Sequence, residues 1–488
     1  MKEMNEKYII SLIAIAVVGL LIFTSCSKLD NFSNDPAVKL EFSADTVLFD
    51  TVFTTLGTAT RVLTVYNTEK QWLKISSIRL ARGESSPFRL NIDGVATLNA
   101  KDIELAPKDS LYIFIRATID PNNQSGMMIE TDSILFSVNS NLQDVKLVAW
   151  GEDAHFYTNA VVASNYVMRN DKPHVIYGYM AVDSSFTLTI TQGARLYFHH
   201  NSFLLVYRDA TLKVFGTQDE PVIFQGDRTE FYFRDLPGQW GHKDAGTCIY
   251  FYPGSINNEM HYTVIKNGVV GIQADTIGNS TAPTLRLYNS QIRNMLGIGL
   301  LARGTHIEAA NLVIANCGSN ALAILYGGNY DFRHLTIGNY WTRTARQSPS
   351  LFINNYYYYQ NQQIARNLVN AYFGNCIVYG NLNEEIELDK SSLAIFNYNF
   401  DYCFVRTARN IETNPLFVNC TRNVDPKFIE TQVHNLEPDT LSPVIDKGGL
   451  SVVHQSLFNI KRDIKGVSRI SDAAPDPGAY EFASNRLK

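Results

Sequence analysis

The chain has 488 residues, a formal net charge of −5, 45% hydrophobic and 18% charged residues. Those values exclude a disordered chain and leave room for two or three domains. They give no basis for nucleic-acid binding, and 12% aromatic content, mostly Tyr and Phe, leans towards β-structure.

The first 25 residues place Lys2 and Lys7 before an apolar run from Ile9 to Phe23, which closes on Phe23-Thr-Ser-Cys26. The run is short and terminal for a membrane span. Its last four residues resemble the lipobox of bacterial lipoprotein signal peptides, with Phe23 in place of the usual leucine. The resemblance implies that Cys26 is lipidated and becomes the mature N-terminus. Acyl chains contribute roughly 0.8 kcal/mol per buried methylene, so several chains anchor a protein stably. Ser27 is compatible with outer-membrane delivery. Exported lipoproteins of the Bacteroidetes group carry an acidic run after the cysteine, whereas only Asp30 and Asp35 stand near here, so leaflet and face stay open. Residues 26–37 read as a polar, turn-rich tether.

From 38 to 153 short alternating strands predominate, for example Arg61–Tyr66, Leu111–Arg116 and Val145–Ala149. This pattern predicts a sandwich of about seven strands. Asn67 after one strand and the Pro107–Ser110 turn before another resemble immunoglobulin-like modules of bacterial envelope lipoproteins. That resemblance implies a spacer or a cap without chemistry of its own. Residues 151–173 read as transitional.

A solenoid is expected over 160–413. Its first strands are Phe186–Ile190, Ala194–Phe198, Ser202–Val206, Ala210–Val214 and Pro221–Phe224. Further on a phrase recurs: Tyr262–Asn267, Asn289–Asn294, Asn311–Asn316, His334–Asn339 and, more loosely, Asn375–Asn381. The final asparagines step by 27 (294−267), 22 (316−294) and 23 (339−316). A period in the twenties carried by β-branched runs signals stacked coils of strands. Isoleucine is expected to point inwards, and asparagine to turn the corner and bond to its copy about 4.8 Å away. The phrase from Ala210 to Phe224 resembles the opening coils of pectate-lyase-like right-handed parallel β-helices, and the crossover rule gives the same hand. Some ten coils are expected, interrupted by inserts at Gln225–Thr247 and Tyr340–Val369.

The tail, 414–488, contains Asn414–Phe417, Ser442–Gly448, Asp463–Gly466 and Pro477–Phe482. These resemble the closing segment of bacterial surface β-helix proteins, a group of polysaccharide lyases and proteins without known activity. The implied role is to pack along the last coils and hide an open sheet edge. Cys26, Cys248, Cys317, Cys376, Cys403 and Cys420 fit no metal spacing. Buried thiols and a Cys403–Cys420 disulfide are the two readings.

Chemistry is sparse. A lyase needs carboxylates for calcium and a base, and a hydrolase needs converging carboxylates. His261–Asn381 holds three acids, Asp275, Glu308 and Asp331, the last two spaced to fall on neighbouring coils. It holds eight bases: Lys266, Arg286, Arg293, Arg303, Arg333, Arg343, Arg346 and Arg366, hence +5 (8−3). Lys266 and Arg293 occupy one outward slot on adjacent coils, either as solubilising charge or as a strip for an anionic partner. The first insert offers Tyr232 and Trp240 among mixed charges as sugar-stacking groups, against a salt-bridged loop. Tyr356, Tyr357, Tyr358 and Tyr359, near Arg343 and Arg346, read as a stacking platform or as cover for an apolar face. His334, where other rungs have Asn, reads as a corner hydrogen-bonder. The expectation is a non-catalytic, lipid-anchored envelope protein whose β-helix binds a glycan or an envelope partner, with no cofactor or metal. The alternative is a lyase or hydrolase of an acidic polysaccharide.

Overall fold

A computed structural model describes residues 31–53, 60–120, 127–230, 232–276, 282–454 and 460–483. Cys26 and the apolar segment before it lie outside these residues. The described residues form two compact units, divided between Gly151 and Glu152.

The first unit contains two five-stranded sheets, so ten strands stand where about seven were expected. Arg61–Tyr66 pairs antiparallel with Ser110–Ala117, which pairs antiparallel with Phe88–Ile92. In Ser110–Ala117 every second side chain is buried, so Leu111, Ile113, Ile115 and Ala117 feed one core with Leu63, Val65, Phe88 and Phe136. Asn67 turns a corner by donating to the carbonyls of Gln71 and Ala106 at 2.9 and 2.8 Å.

The second unit is built on one 24-stranded sheet. Its strand pairs are parallel from His155–Val162 to Thr421–Arg422. The solenoid thus begins within the stretch read as transitional and continues past residue 413. Strand registers trace a column of inward residues: Met168, Ile190, Val214, Met260, Leu287, Ala309, Phe332, Phe373, Phe400 and Phe417. The last four rings stack, with centroids 5.4, 4.7 and 4.7 Å apart. Such pairs contribute about 0.5–1.5 kcal/mol each beyond their buried area.

The repeated asparagines form two side-chain ladders. Asn294 Nδ2 donates to Asn267 Oδ1 at 2.7 Å and Asn316 Nδ2 to Asn294 Oδ1 at 2.9 Å. At the other end of the phrase Asn311 Nδ2 donates to Asn289 Oδ1 at 2.8 Å. Asn267, Asn294 and Asn316 have φ of 64°, 57° and 52°, a left-handed backbone that asparagine tolerates. Replacing Asn294 by alanine removes three amide bonds, two in the ladder and one to the Asp235 carbonyl, and strains that corner. The expected loss is about 2 kcal/mol, read from the denaturant midpoint. A loss within 0.5 kcal/mol, on the order of an ordinary surface change, would contradict the ladder's role. His334 stands at the other corner, where earlier rungs have Asn289 and Asn311, with φ of 52°. It is fully buried between Asn375 Nδ2 at 3.1 Å and the Gly478 carbonyl at 3.1 Å.

Two expectations are corrected here. Tyr340–Val369 is not one insert, because Leu351–Asn354 is a rung between Leu322–Ile324 and Ile386–Asp389. No disulfide joins Cys403 and Cys420; the five described cysteines are free thiols, and the Cys403 amide donates to Cys420 Sγ at 3.4 Å. The tail packs along the coils, as its resemblance implies, and lies on their outward faces. Leu436, Ile464, Ala479 and Tyr480 cover Val313 and Ala315, while Val444 covers Ile377, Tyr379 and Phe404. Glycine at 338 makes room for this: a Cβ there would lie 2.4 Å from Leu436 Cδ1.

Candidate functional site

The repeat explains where charge collects. Ile265, Ile292, Ile314 and Ile337 are in register and buried, so the residues that follow them point outwards: Lys266, Arg293, Ala315 and Gly338. The last two are small because the tail crosses there. Where the cover ends the slot turns cationic, and a cavity of about 340 Å³ opens between tail and coils. Lys266, Arg293 and the corner amides Asn267, Asn294 and Asn316 form its solenoid side. Asp235 of the first insert, Tyr340, Thr342 and Arg343 of the 340–350 loop, and Thr431–His434 of the tail complete it.

The walls are tied together through backbone carbonyls. Asn294 Nδ2 and Arg343 Nη2 donate to the Asp235 carbonyl at 2.9 and 3.1 Å, and Asn267 Nδ2 donates to the Arg234 carbonyl at 2.5 Å. Trp240 Nε1 donates to the Lys266 carbonyl at 2.9 Å and holds that rung from beneath. No carboxylate among the described residues comes within 4.0 Å of the charged atoms of Lys266, Arg293 or Arg343. The nearby Asp235 carboxylate pairs with Arg234 at 3.4 Å and faces solvent. Burial, then the neighbouring Arg293, lowers Lys266 below the ordinary lysine value. Burial likewise lowers Arg293 and His434. Arg293 Nε is buried with no hydrogen-bond partner among the described residues. The site is therefore an excess of partly dehydrated positive charge, whose mutual repulsion an anion would relieve.

Four of the other five bases of this span, Arg286, Arg303, Arg333 and Arg346, are paired with acids where they stand. Arg303 Nε donates to Asp275 at 2.6 Å, Arg286 Nε to Glu308 at 3.0 Å and Arg333 Nε to Asp331 at 2.9 Å. Arg366 lies 5.9 Å from the Tyr326 ring. Glu308 and Asp331 do face each other on adjacent coils. Among the described residues no group of three or more His, Cys, Asp or Glu converges to hold a metal.

Several proposed binding residues belong elsewhere. Arg346 does not reach a ligand: its side chain is fully buried in an ion pair with Glu385. Trp240 offers no ring to a sugar, because it is 1% exposed and stacks on Phe198 at 4.3 Å. Tyr232 is exposed on the first insert. Tyr356–Tyr359 pairs antiparallel with Gln362–Ala365 in a hairpin, leaving Tyr357, Tyr358 and Tyr359 exposed. Tyr356 instead donates its hydroxyl to Asp389 at 2.7 Å. The Tyr357 ring packs edge-on against Tyr326, with centroids 4.7 Å apart. Of the residues singled out in the sequence, Lys266, Arg293 and Arg343 share one site. Gln432 and His434 were missed there, since the tail carries no repeat to flag them.

No protein-family model matches the chain, and no curated protein matches it either. Among solved structures it is similar to the catalytic unit of a GH87 α-1,3-glucanase from Streptomyces thermodiastaticus: 12% identity over 70% of this chain and 74% of that one, TM-score 0.31. A family 123 glycoside hydrolase from Clostridium perfringens matches at 9% identity over 24% of this chain, TM-score 0.17, and the chain spans only 30% of that enzyme's length. A Porphyromonas gingivalis protein of unknown function matches at 14% identity over 26% of this chain and 60% of its own length, TM-score 0.18. At these scores the likenesses carry no functional argument; the fold rests on the strand registers.

Proposed function

We propose that this chain is a non-catalytic envelope lipoprotein, anchored through Cys26 and placed in the outer membrane. In this reading its N-terminal sandwich is an immunoglobulin-like spacer, and its right-handed β-helix presents a binding surface for a glycan. One observation carries the proposal: every acid of the His261–Asn381 span is held by an arginine, whereas three of its cations are gathered in a cavity. A hydrolase needs one carboxyl free to give a proton and another free to activate water, and a lyase needs carboxylates free for calcium. A surface with its acids engaged and its cations available suits recognition instead. The alternative is a hydrolase or lyase of an acidic polysaccharide that uses residues of the two inserts, with Glu308 and Asp331 in register on adjacent coils.

The test uses the chain carrying Cys26→Ser, incubated with acidic and neutral polysaccharides, with and without calcium. Retention of an acidic polysaccharide without release of reducing or unsaturated ends is the expected result. Release of such ends would overturn the binding reading and establish the alternative. In cells the same Cys26→Ser change should move the protein out of the membrane fraction.

A further inference from the structure

We infer that the cavity between the corner amides and the tail is a binding site for the acid group of a saccharide, a uronate carboxylate or a sulfate ester. The inference rests on the glycan-binding reading and adds the place and the chemistry. Lys266 and Arg293 sit on adjacent rungs and Arg343 reaches in from the neighbouring loop, so the cations converge from two independent segments. Solubilising charge would extend into water. Here Arg293 instead keeps a buried Nε without a partner among the described residues, and Arg343 is tethered at the wall by the Asp235 carbonyl at 3.1 Å. A guanidinium held this way meets a planar carboxylate or a sulfate through paired N–H groups, and a lysine adds a point charge.

The rest of the lining argues for a sugar. Tyr340, Thr342, Thr431 and Gln432 add hydroxyl and amide groups around the cations, the chemistry that meets ring hydroxyls. A volume of about 340 Å³ lies at the lower end of the roughly 300–1,000 Å³ typical of ligand pockets. Such a site holds an acid group with its own sugar unit, not a long stretch of chain. The tail supplies one wall, so the site exists only when residues 431–434 are docked.

The test titrates the Cys26→Ser chain by calorimetry with sodium galacturonate, galactose 6-sulfate, inorganic sulfate and uncharged galactose. The expected result is binding of one acidic sugar, weakened about 10- to 100-fold by Lys266→Gln and by Arg343→Gln, the loss of one charge-assisted contact. Arg366→Gln, a cation outside the cavity, should change nothing, and raising the salt should weaken binding. Circular dichroism establishes that each variant is folded. Should Arg343→Gln fail to fold, Lys266→Gln alone decides. An acidic sugar bound equally well by both variants overturns the site, even if polysaccharide retention upholds the broader reading. Acidic sugars that bind through Lys266 and Arg343 while no polysaccharide is retained would overturn that reading and leave the site standing. Binding of inorganic sulfate alone would overturn the saccharide assignment. No binding of any charged probe would overturn the site.

Discussion

Replacing Arg469 by methionine is expected to destabilise the solenoid unit by about 3–5 kcal/mol, the cost of breaking a buried ion pair from one side. Arg469 and Glu481 have side chains 0% and 1% exposed. The guanidinium also donates to the Gly478 carbonyl at 3.1 Å and, across to the coils, to Asn311 Oδ1 at 2.8 Å. One residue thus closes the tail on itself and fastens it to a rung. Around it the tail is pinned further: the Gly478 amide donates to the Asn375 carbonyl at 2.7 Å and the Ala479 amide to Thr336 Oγ1 at 2.8 Å. Burial pushes the carboxyl of Asp476 up to about 6 and that of Glu481 up to about 8, with Arg469 acting to lower both. Without the arginine these acids lose their compensating charge. The double change Arg469→Met with Glu481→Leu should recover part of the loss, because it leaves no half of the pair behind. Denaturant unfolding followed by near-ultraviolet circular dichroism measures both variants, and limited proteolysis shows whether the tail opens first. A single-variant loss below about 1 kcal/mol, the ordinary cost of a point change, would show that Arg469 does not fasten the tail.

The coils were legible because their physics repeats. An inward isoleucine and an asparagine able to turn left-handed recur wherever the chain rounds the same corner, so Asn267, Asn294 and Asn316 announce the ladder before any coordinates. What crosses the coils was not legible, because it happens once. Ala315 and Gly338 are small for the sake of Leu436, and a small residue in an outward slot carries no label naming its partner. Asn311 and Asn375 look like further rungs, yet both also bond to the tail, Asn311 to the Arg462 carbonyl at 2.9 Å and Asn375 to the Gly449 carbonyl at 3.0 Å. The candidate site divides in the same way. The shared slot of Lys266 and Arg293 could be counted from the repeat. Arg343 was visible as a cation but not as their neighbour, since loop geometry has no period. Trp240 misled because charged neighbours in sequence suggest a surface, whereas its contact in space is Phe198.

Arg346 provides the second large expected effect and separates a structural arginine from a binding one three positions away. Arg346→Ala should cost about 3–5 kcal/mol. Its Nη1 donates to Glu385 Oε2 at 2.8 Å, and Nη2 donates to the Asn339 carbonyl at 3.1 Å and Asn381 Oδ1 at 2.8 Å. Glu385 in turn accepts from the Ser350 amide at 3.0 Å and the Leu382 amide at 2.8 Å. The pair therefore joins the 340–350 loop to the next coil's corner, both ends being asparagines of the repeated phrase. Lysine has no fork to fill these acceptors at once, so Arg346→Lys should still lose about 1–3 kcal/mol through unmet buried groups. Because the same loop carries Tyr340, Thr342 and Arg343 into the cavity, Arg346→Ala should also weaken acidic-sugar binding in the protein that remains folded. Arg343→Gln should show the reverse balance, a large loss of binding with a stability change within about 0.5 kcal/mol, as expected of a change outside the packed interior. Midpoints from denaturant unfolding, paired with calorimetric affinities for the two arginine variants, measure that contrast. Equal effects of both changes on stability and on binding would mean that the loop acts as one unit and that Arg343 has no separate role.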